Sequence, residues 1–302
     1  MTKPELTASE LKLIDDAARY LEQPTFMIEL AETVGKPVDV LMRSLNRIAP
    51  DKIERAVGSS LRTALKFAVA TIPDELPATD EELEADINSL AKRISLKHKL
   101  TVAFTGGVGG MFGGFGLAAE LPITTTIMFR SIASIAQRYG EDLRDPASRL
   151  QCLSVFSFGS GGRSSTAECA YLATRLSMQA SLAQATRVLT VVTADELTGM
   201  IQKGTAPALL NLLSHIASQF NVAVTQKTLA QALPLVGSAT GALINVALID
   251  HFNRVAKFHF GIRRLERKYG LEPIQLVYQD AARQVKQQAT ARRLTLRPSP
   301  GF

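Results

Sequence analysis

The sequence predicts an all-α fold, a multi-helix bundle built as one domain over residues 1–302. Helix-start patterns recur, in which a Ser or Thr followed three residues later by Glu can bond to the first backbone N–H groups of a helix. Hairpin patterns are absent, since no Asn-Gly or Asp-Gly pair joins two alternating β-branched runs. No linker divides the chain, and 46% of its residues are hydrophobic, so it can bury one large core. The helix starts fall at Thr7, Thr79, Ser165 and Thr193, and Asp145-Pro146 supplies an N-cap followed by an N1 proline.

The N-terminal part, residues 1–75, is interpreted as three helices that act as scaffold. Proline disfavours helical geometry in the residue before it, so breaks are expected near Pro24, Pro37 and Pro50. Seven acids and no base lie between Asp74 and Asp86, which is typical of the solvated start of another helix.

Two apolar stretches rich in small residues predict helical hairpins. Leu100–Ala119 holds no charge and seven glycines, which would allow helix backbones to approach closely. It reaches the minimum length of a membrane span, but Glu120 and Pro122 follow at once, so a buried or re-entrant hairpin is favoured over a full span. The milder second stretch, Leu229–Ile249, is broken by a proline. The glycines expected at the helix-packing face are Gly106, Gly109, Gly110, Gly113 and Gly114.

One interpretation of the two hairpins is an internal pseudo-repeat with an offset of 130 residues. This offset places Glu120 on Asp250, and in both copies an apolar run meets an acid and an amphipathic helix then ends in Tyr-Gly. The sequence preferences that all helices share explain the same pattern without a repeat. The other matched pairs are Gly107 with Gly237, Met128 with Phe258, Ile132 with Ile262, Ile135 with Leu265, and Tyr139-Gly140 with Tyr269-Gly270.

The segment 92–270 contains several distinctive motifs: Asp250-His251-Phe252, His259-Phe260, Arg263-x-Leu265-Glu266-Arg267-x-Tyr269-Gly270, and upstream Glu120-Leu121-Pro122-Ile123-Thr124. Through these motifs the segment resembles the EcsC protein family. Gln219 and Asn221 depart from the arginine and glycine expected in their loop. The resemblance implies a membrane-associated bacterial protein with no established biochemical activity, so it supplies no catalytic residues.

Positive charge is concentrated at the C-terminal end. Residues 251–302 carry 11 Lys/Arg against 3 Asp/Glu, including a basic helix and tail over 275–302. A helix with basic and apolar faces suits contact with anionic lipid, although an ordinary solvated face explains the pattern equally well. Without interleaved aromatic residues, nucleic acid is not expected as a partner. The basic residues assigned to lipid contact are Arg254, Lys257, Arg263, Arg264, Arg267 and Lys268.

The candidate catalytic residues are Glu120, Asp250, His251 and His259. Paired carboxylates near a histidine can share a proton or act as acid and base in an apolar cleft. A structural interpretation is favoured, in which Asp250 pairs with Arg254 one turn later and His259 is a buried core histidine. No metal site and no cofactor are predicted, and the two cysteines are expected to be free thiols in a reducing compartment.

The leading functional hypothesis is a non-enzymatic, membrane-associated accessory or lipid-binding protein, because uncharged hairpins adjoin a basic helix. Its expected location is cytoplasmic, peripheral or partly inserted at the inner membrane, since the start of the chain lacks a signal-peptide pattern. Its expected partners are membrane lipids or membrane proteins, with a homo-oligomer possible. One alternative is a hydrolase of lipid or peptide substrates that uses Glu120 and Asp250 in a cleft between the repeats. The other is a soluble helical scaffold that self-associates through its glycines.

Overall fold

The computed structural model describes residues 4–23, 25–35, 50–70, 116–159, 169–231 and 238–295. Within these ranges the chain forms ten α-helices and no strand, which confirms the all-α prediction. The helices are α1 (Ala8–Leu21), α2 (Thr25–Val34), α3 (Pro50–Ala70), α4 (Gly116–Arg138), α5 (Pro146–Ser154), α6 (Ala170–Leu189), α7 (Ala194–Lys203), α8 (Pro207–Gln231), α9 (Ser238–Tyr269) and α10 (Leu271–Thr295). A short 3-10 turn, Val155–Ser157, follows α5.

Local sequence explains where several helices begin. Thr7 and Thr193 each accept a bond from the backbone N–H of the Glu three residues later, and that Glu accepts from the backbone of its Thr. The side chain of Asp145 caps α5, with Pro146 as its first residue. These starts confirm the capping predictions, whereas the patterns at Thr79 and Ser165 lie outside the described residues.

Glycines end α4 and α9 as the sequence predicts. Gly140 and Gly270 follow Tyr139 and Tyr269 with φ of +83° and +97°, a left-handed conformation that glycine adopts without steric cost. Gly204 ends α7 in the same way, with φ of +70°.

The long helix α9 lies at the centre and packs against α1, α2, α4, α8 and α10. It runs parallel to α4, since Asn245 contacts Glu120 near the start of both helices and Arg267 donates to the carbonyl of Tyr139 near their ends. An aromatic cluster of Phe156, Phe220 and Phe252 joins the 3-10 turn to α8 and α9, with ring centroids 4.9–5.5 Å apart. Such ring pairs add specific geometry to the apolar area that they bury.

The proposed repeat has partial counterparts in the fold, and the repeat itself stays a prediction. Its matched apolar positions on α4 and α9, such as Ile132 and Ile262, are buried in both helices. However, α9 runs without interruption through Asp250, so this acid lies inside a helix and not at the boundary that the sequence suggested. Glu120 is the fifth residue of α4, close to its start.

The glycine-rich hairpin, including Gly106, Gly109, Gly110, Gly113 and Gly114, lies outside the described residues. The second apolar stretch forms the end of α8 and the first part of α9, on either side of undescribed residues 232–237. Within the described helices, none has both the length and the apolar character needed to cross a bilayer.

Candidate functional site: an arginine-lined cavity and buried polar clusters

A cavity of about 580 Å³ opens between α5, α6 and α10, beside the C-terminal half of α9. α6 contributes most of the apolar lining, together with Arg175 and Gln179, and α10 contributes Gln275, Gln279 and Arg283. Among the described residues that line it, the charged ones are arginines and none is a carboxylate. The main apolar residues are Phe158, Leu172, Leu176, Met178, Leu182 and Leu271, and the main polar ones are Gln151, Arg175, Gln179, Arg263, Gln275, Gln279 and Arg283.

Helical periodicity brings the polar lining residues of α10 to one face of that helix. Gln275, Gln279 and Arg283 are spaced four residues apart on α10, so they lie along one stripe of that helix. Leu271 continues the stripe at the start of α10 and is half exposed. Sequence reasoning did not identify this stripe, although the spacing was available as a signal.

Two of the arginines are fixed by buried carboxylates behind the cavity wall. Arg175 donates to both oxygens of Glu266 at 2.6 and 2.9 Å, and Arg263 donates to both oxygens of Glu141 at 2.8 and 3.0 Å. Burial opposes ionisation of Glu141, but hydrogen bonds and the charges of Arg263 and Arg267 hold its pKa below the usual value. These bidentate pairs give the two guanidinium groups defined positions.

At the start of α6, the carboxylate of Glu22, the residue that follows α1, caps the helix beside the cavity-lining Cys169. Glu22 accepts from the backbone N–H groups of Ala170 and Tyr171 at 2.7 and 3.2 Å, so it satisfies two of the first N–H groups of α6. The Cys169 thiol donates to the same carboxylate at 3.2 Å. Burial, and then the charge of Glu22, raise the pKa of Cys169 to about 12, so this thiol stays protonated and is a poor nucleophile.

The two candidate histidines are fully buried on α9, and each bonds to a tyrosine. His259 Nδ1 lies 2.8 Å from the Tyr171 hydroxyl, and His251 Nδ1 lies 3.0 Å from the Tyr20 hydroxyl. Both Nε2 atoms are buried without a hydrogen-bond partner. Burial, with nearby arginine charges, lowers both pKa values, that of His251 to about 3. They therefore remain neutral core histidines at physiological pH.

Glu120 belongs to a buried cluster that sequence reasoning missed. Its Oε1 accepts from Lys227 Nζ on α8 and from Asn245 Nδ2 on α9, both at 2.7 Å. Lys227 and Asn245 are fully buried, and Asn245 Oδ1 has no hydrogen-bond partner. Burial lowers the pKa of Lys227, while the charge of Glu120 and their hydrogen bond oppose that shift. The cluster can hold three helices in register, a documented role of buried charges.

The structure assigns Glu120 and Asp250 to different groups. Asp250 follows Asn245 by five residues, which turns it about 140° around α9 and away from the Glu120 cluster. It acts electrostatically on Tyr20 and Glu29 instead, as part of the contact between α9 and the N-terminal helices. The hydrogen bonds described for Glu120 go to Lys227 and Asn245, and the hydrolase hypothesis stays a prediction.

The basic residues of α9 are largely engaged within the fold. Arg254 pairs with Glu29 of α2, and Lys268 pairs with Glu10 of α1, at 2.5 and 2.9 Å. Arg263 and Arg267 both pair with Glu141. Lys257 and Arg264, the other members of the predicted lipid-contact set, also have interactions within the fold. Lipid contact by these residues stays a prediction.

In the described part of the chain, no group of His, Cys, Asp and Glu side chains could hold a metal ion. The cysteines there, Cys152 and Cys169, are free and buried.

The sequence that forms this fold matches the model of a known protein family. The EcsC protein family matches residues 21–265, which is most of the chain, so this protein belongs to the EcsC family. The match spans α2 to α9 and includes the Glu120–Lys227–Asn245 cluster. Comparison with curated proteins and with solved structures gives no match for this chain.

Proposed function

We propose that this protein is a non-enzymatic, membrane-associated lipid-binding protein that acts at the cytoplasmic face of the inner membrane. The cavity is the observation that carries the proposal. Its volume of about 580 Å³ falls within the roughly 300–1,000 Å³ typical of small-molecule sites. Its lining combines an apolar wall with arginine and glutamine side chains, which suits a molecule that is apolar at one end and polar at the other.

Apolar side chains at the mouth of the cavity also support the proposal. Leu176 on α6 and Leu271 on α10 both line the cavity, and they are 72% and 50% exposed. Large apolar residues that adjoin a cavity provide a surface over which a lipid can pass from a bilayer. The net charge of +6 would draw such a surface toward anionic headgroups.

The proposal is tested by fractionation and by vesicle flotation. Membranes from expressing cells are washed with high salt, then carbonate, then detergent, and the purified protein is floated with vesicles that contain or lack anionic lipid. We expect a membrane-bound pool and flotation that increases with anionic lipid. Recovery of all protein in the supernatant, with no flotation at any composition, would contradict the proposal.

A pair of variants tests the mouth of the cavity. Replacing Leu176 and Leu271 together by Ser should reduce flotation, because two exposed apolar contacts with the bilayer are lost. The matched control is Val191→Ser, since Val191 is 79% exposed but does not line the cavity. Equal flotation of the double variant and the control would contradict a role for Leu176 and Leu271 in membrane binding.

A further inference from the structure

We propose that the cavity binds a single-chain amphiphile with one anionic group, its charged end at the α10 wall and its chain along α6. The inference rests on the proposed lipid-binding function and specifies the class of lipid and its orientation.

The charge of the lining selects an anion. Arg175, Arg263 and Arg283 line the cavity, and no carboxylate does so among its described residues. Arg175 and Arg263 are held in place by Glu266 and Glu141, whose carboxylates offset much of their charge. A ligand carboxylate or phosphate entering the cavity therefore meets guanidinium groups, whose planar donors match both anions.

Arg283 is the side chain best placed to take the anionic end. Its described ion pair is with Asp280, three residues earlier on the same helix, at 3.2 Å. Both side chains are substantially exposed, at 49% and 40%, and surface pairs of this kind contribute little stability. Breaking this surface pair to bind a ligand anion therefore costs little.

The lining side chains of α10 and α6 favour one orientation of the ligand. Gln275 and Gln279 lie on the stripe that leads to Arg283, and their amide groups can donate to the oxygens of a headgroup. The apolar side chains of Leu172, Leu182 and Ala183 on α6 also line the cavity. An acyl chain is favoured there, because its burial removes apolar surface from water.

The volume of the cavity favours one chain over two. Space of about 580 Å³ accommodates a single acyl chain with a small headgroup, whereas a two-chain phospholipid is much larger. Fatty acids and single-chain phosphate esters share the chemistry that the lining requires.

The experiment measures calorimetric binding of dodecanoate, dodecyl phosphate and dodecanol to the full-length protein after removal of co-purified lipid. We expect the two anions to bind at least about tenfold more tightly than the alcohol, because a charge-assisted bond is lost with the alcohol. Whichever anion binds with the higher affinity shows whether the ligand class is a fatty acid or a phosphate ester. Equal affinity for dodecanol would overturn the proposal.

Two variants with matched controls locate the site. Arg283→Leu should weaken dodecanoate binding about tenfold or more and leave dodecanol binding unchanged. Its control is Arg144→Leu, because Arg144 is an exposed arginine paired with a neighbouring aspartate, Asp142, away from the cavity. Ala183→Trp should block all three probes by filling the chain-binding side. Its control is Ala180→Trp, at an exposed position of α6 that does not line the cavity.

The outcomes separate this inference from the proposed function. If the wild-type protein floats with vesicles but Arg283→Leu and Ala183→Trp bind every probe like their controls, the cavity assignment is wrong and membrane association stands. If the wild-type protein neither floats nor binds any probe, the proposed function fails together with the inference.

Discussion

Lys227 shows how a single buried charge depends on its partner. Removing the carboxylate by Glu120→Gln leaves a fully buried ammonium without its ion pair, and we expect a loss of about 3–5 kcal/mol in the free energy of unfolding. The double variant Glu120→Gln with Lys227→Met should regain much of this loss, since no charge then stays buried. Urea denaturation measures both effects.

The control for this pair is Asp142→Asn, which breaks an exposed ion pair with Arg144 and should leave the urea midpoint almost unchanged. A double variant less stable than Glu120→Gln alone would contradict the explanation by an uncompensated charge.

The two buried histidines predict a pH dependence of stability. In the unfolded chain they take up protons as the pH falls below about 6.5, whereas burial keeps them neutral in the fold. The unfolded state then binds more protons, so stability is lost as the pH falls from about 6.5 toward the folded pKa values, that of His251 being about 3. Each histidine contributes a slope that approaches about 1.4 kcal/mol per pH unit.

This slope is measured by urea denaturation between about pH 6.5 and 5, because carboxylates titrate at lower pH. Glu29, whose pKa is raised by burial, acts in the opposite direction as it protonates. His259→Gln should reduce the slope, while His215→Gln, at an exposed position of α8, should not. A stability that stays flat across this range would contradict the assignment of neutral, buried imidazoles.

At the residue scale, the sequence contains a signal that predicts the pairing of Glu120 with Lys227. Glu120 is the sole charged residue from Leu100 to Phe129, and Lys227 is the sole Lys or Arg from Gly204 to Asn253. Two lone opposite charges within apolar segments are predicted to pair, because an unpaired buried charge is too costly. Asp250, the residue that the repeat matches to Glu120, lies near Arg254 and Glu29, where α9 packs on the N-terminal helices.

At the element scale, the turn after Val155–Ser157 depends on glycine for two separate reasons. Gly159 has φ of +75°, and a Cβ added there would lie 2.8 Å from Val255 Cγ2 and 3.0 Å from His251 Cε1. Gly204 has a similar φ of +70° and nothing within 4 Å of its added Cβ. We therefore expect Gly204→Ala to cost about 1–2 kcal/mol from backbone conformation, and Gly159→Ala to cost more.

Thermal and urea unfolding of the two alanine variants provide the comparison. Equal destabilisation would mean that α9 shifts to accept the extra methyl group of Gly159→Ala. The close approach of this turn to α9 would then contribute nothing to the free energy of unfolding.

Helix boundaries were predictable where they depend on nearby residues and were missed where they depend on distant ones. The starts at Thr7, Asp145 and Thr193 are determined by side chains within three residues. The start of α6 depends instead on Glu22, which is 148 residues from Ala170 in sequence. No local pattern predicts a cap supplied by another helix.

At the scale of the whole molecule, the first and last described helices, α1 and α10, support each other. α1 and α10 pack on each other and on α9. Tyr278 of α10 donates to Glu22 at 3.3 Å, and Tyr20 of α1 bonds to His251 of α9. Each terminal helix therefore stabilises the other, although they are about 250 residues apart in the chain.

Deletion of residues 1–23 tests this mutual support. It removes the buried apolar face of α1 and the carboxylate cap of α6, and we expect a loss of several kcal/mol in stability. Hydrogen exchange should accelerate along α10, including the amide of Tyr278, more than along α3, which packs on α4 and α8. Unchanged protection of α10 would contradict the coupling.

The placement of α10 has an evolutionary consequence. It contributes Gln275, Gln279 and Arg283 to the lining of the cavity, yet it follows the segment 21–265 that matches the EcsC family. Under the proposal that the cavity binds an amphiphile, substitutions in this one helix can alter which molecule is bound and leave the packing of α2 to α8 untouched. Ligand preference would then evolve through α10 while the rest of the helical fold is kept.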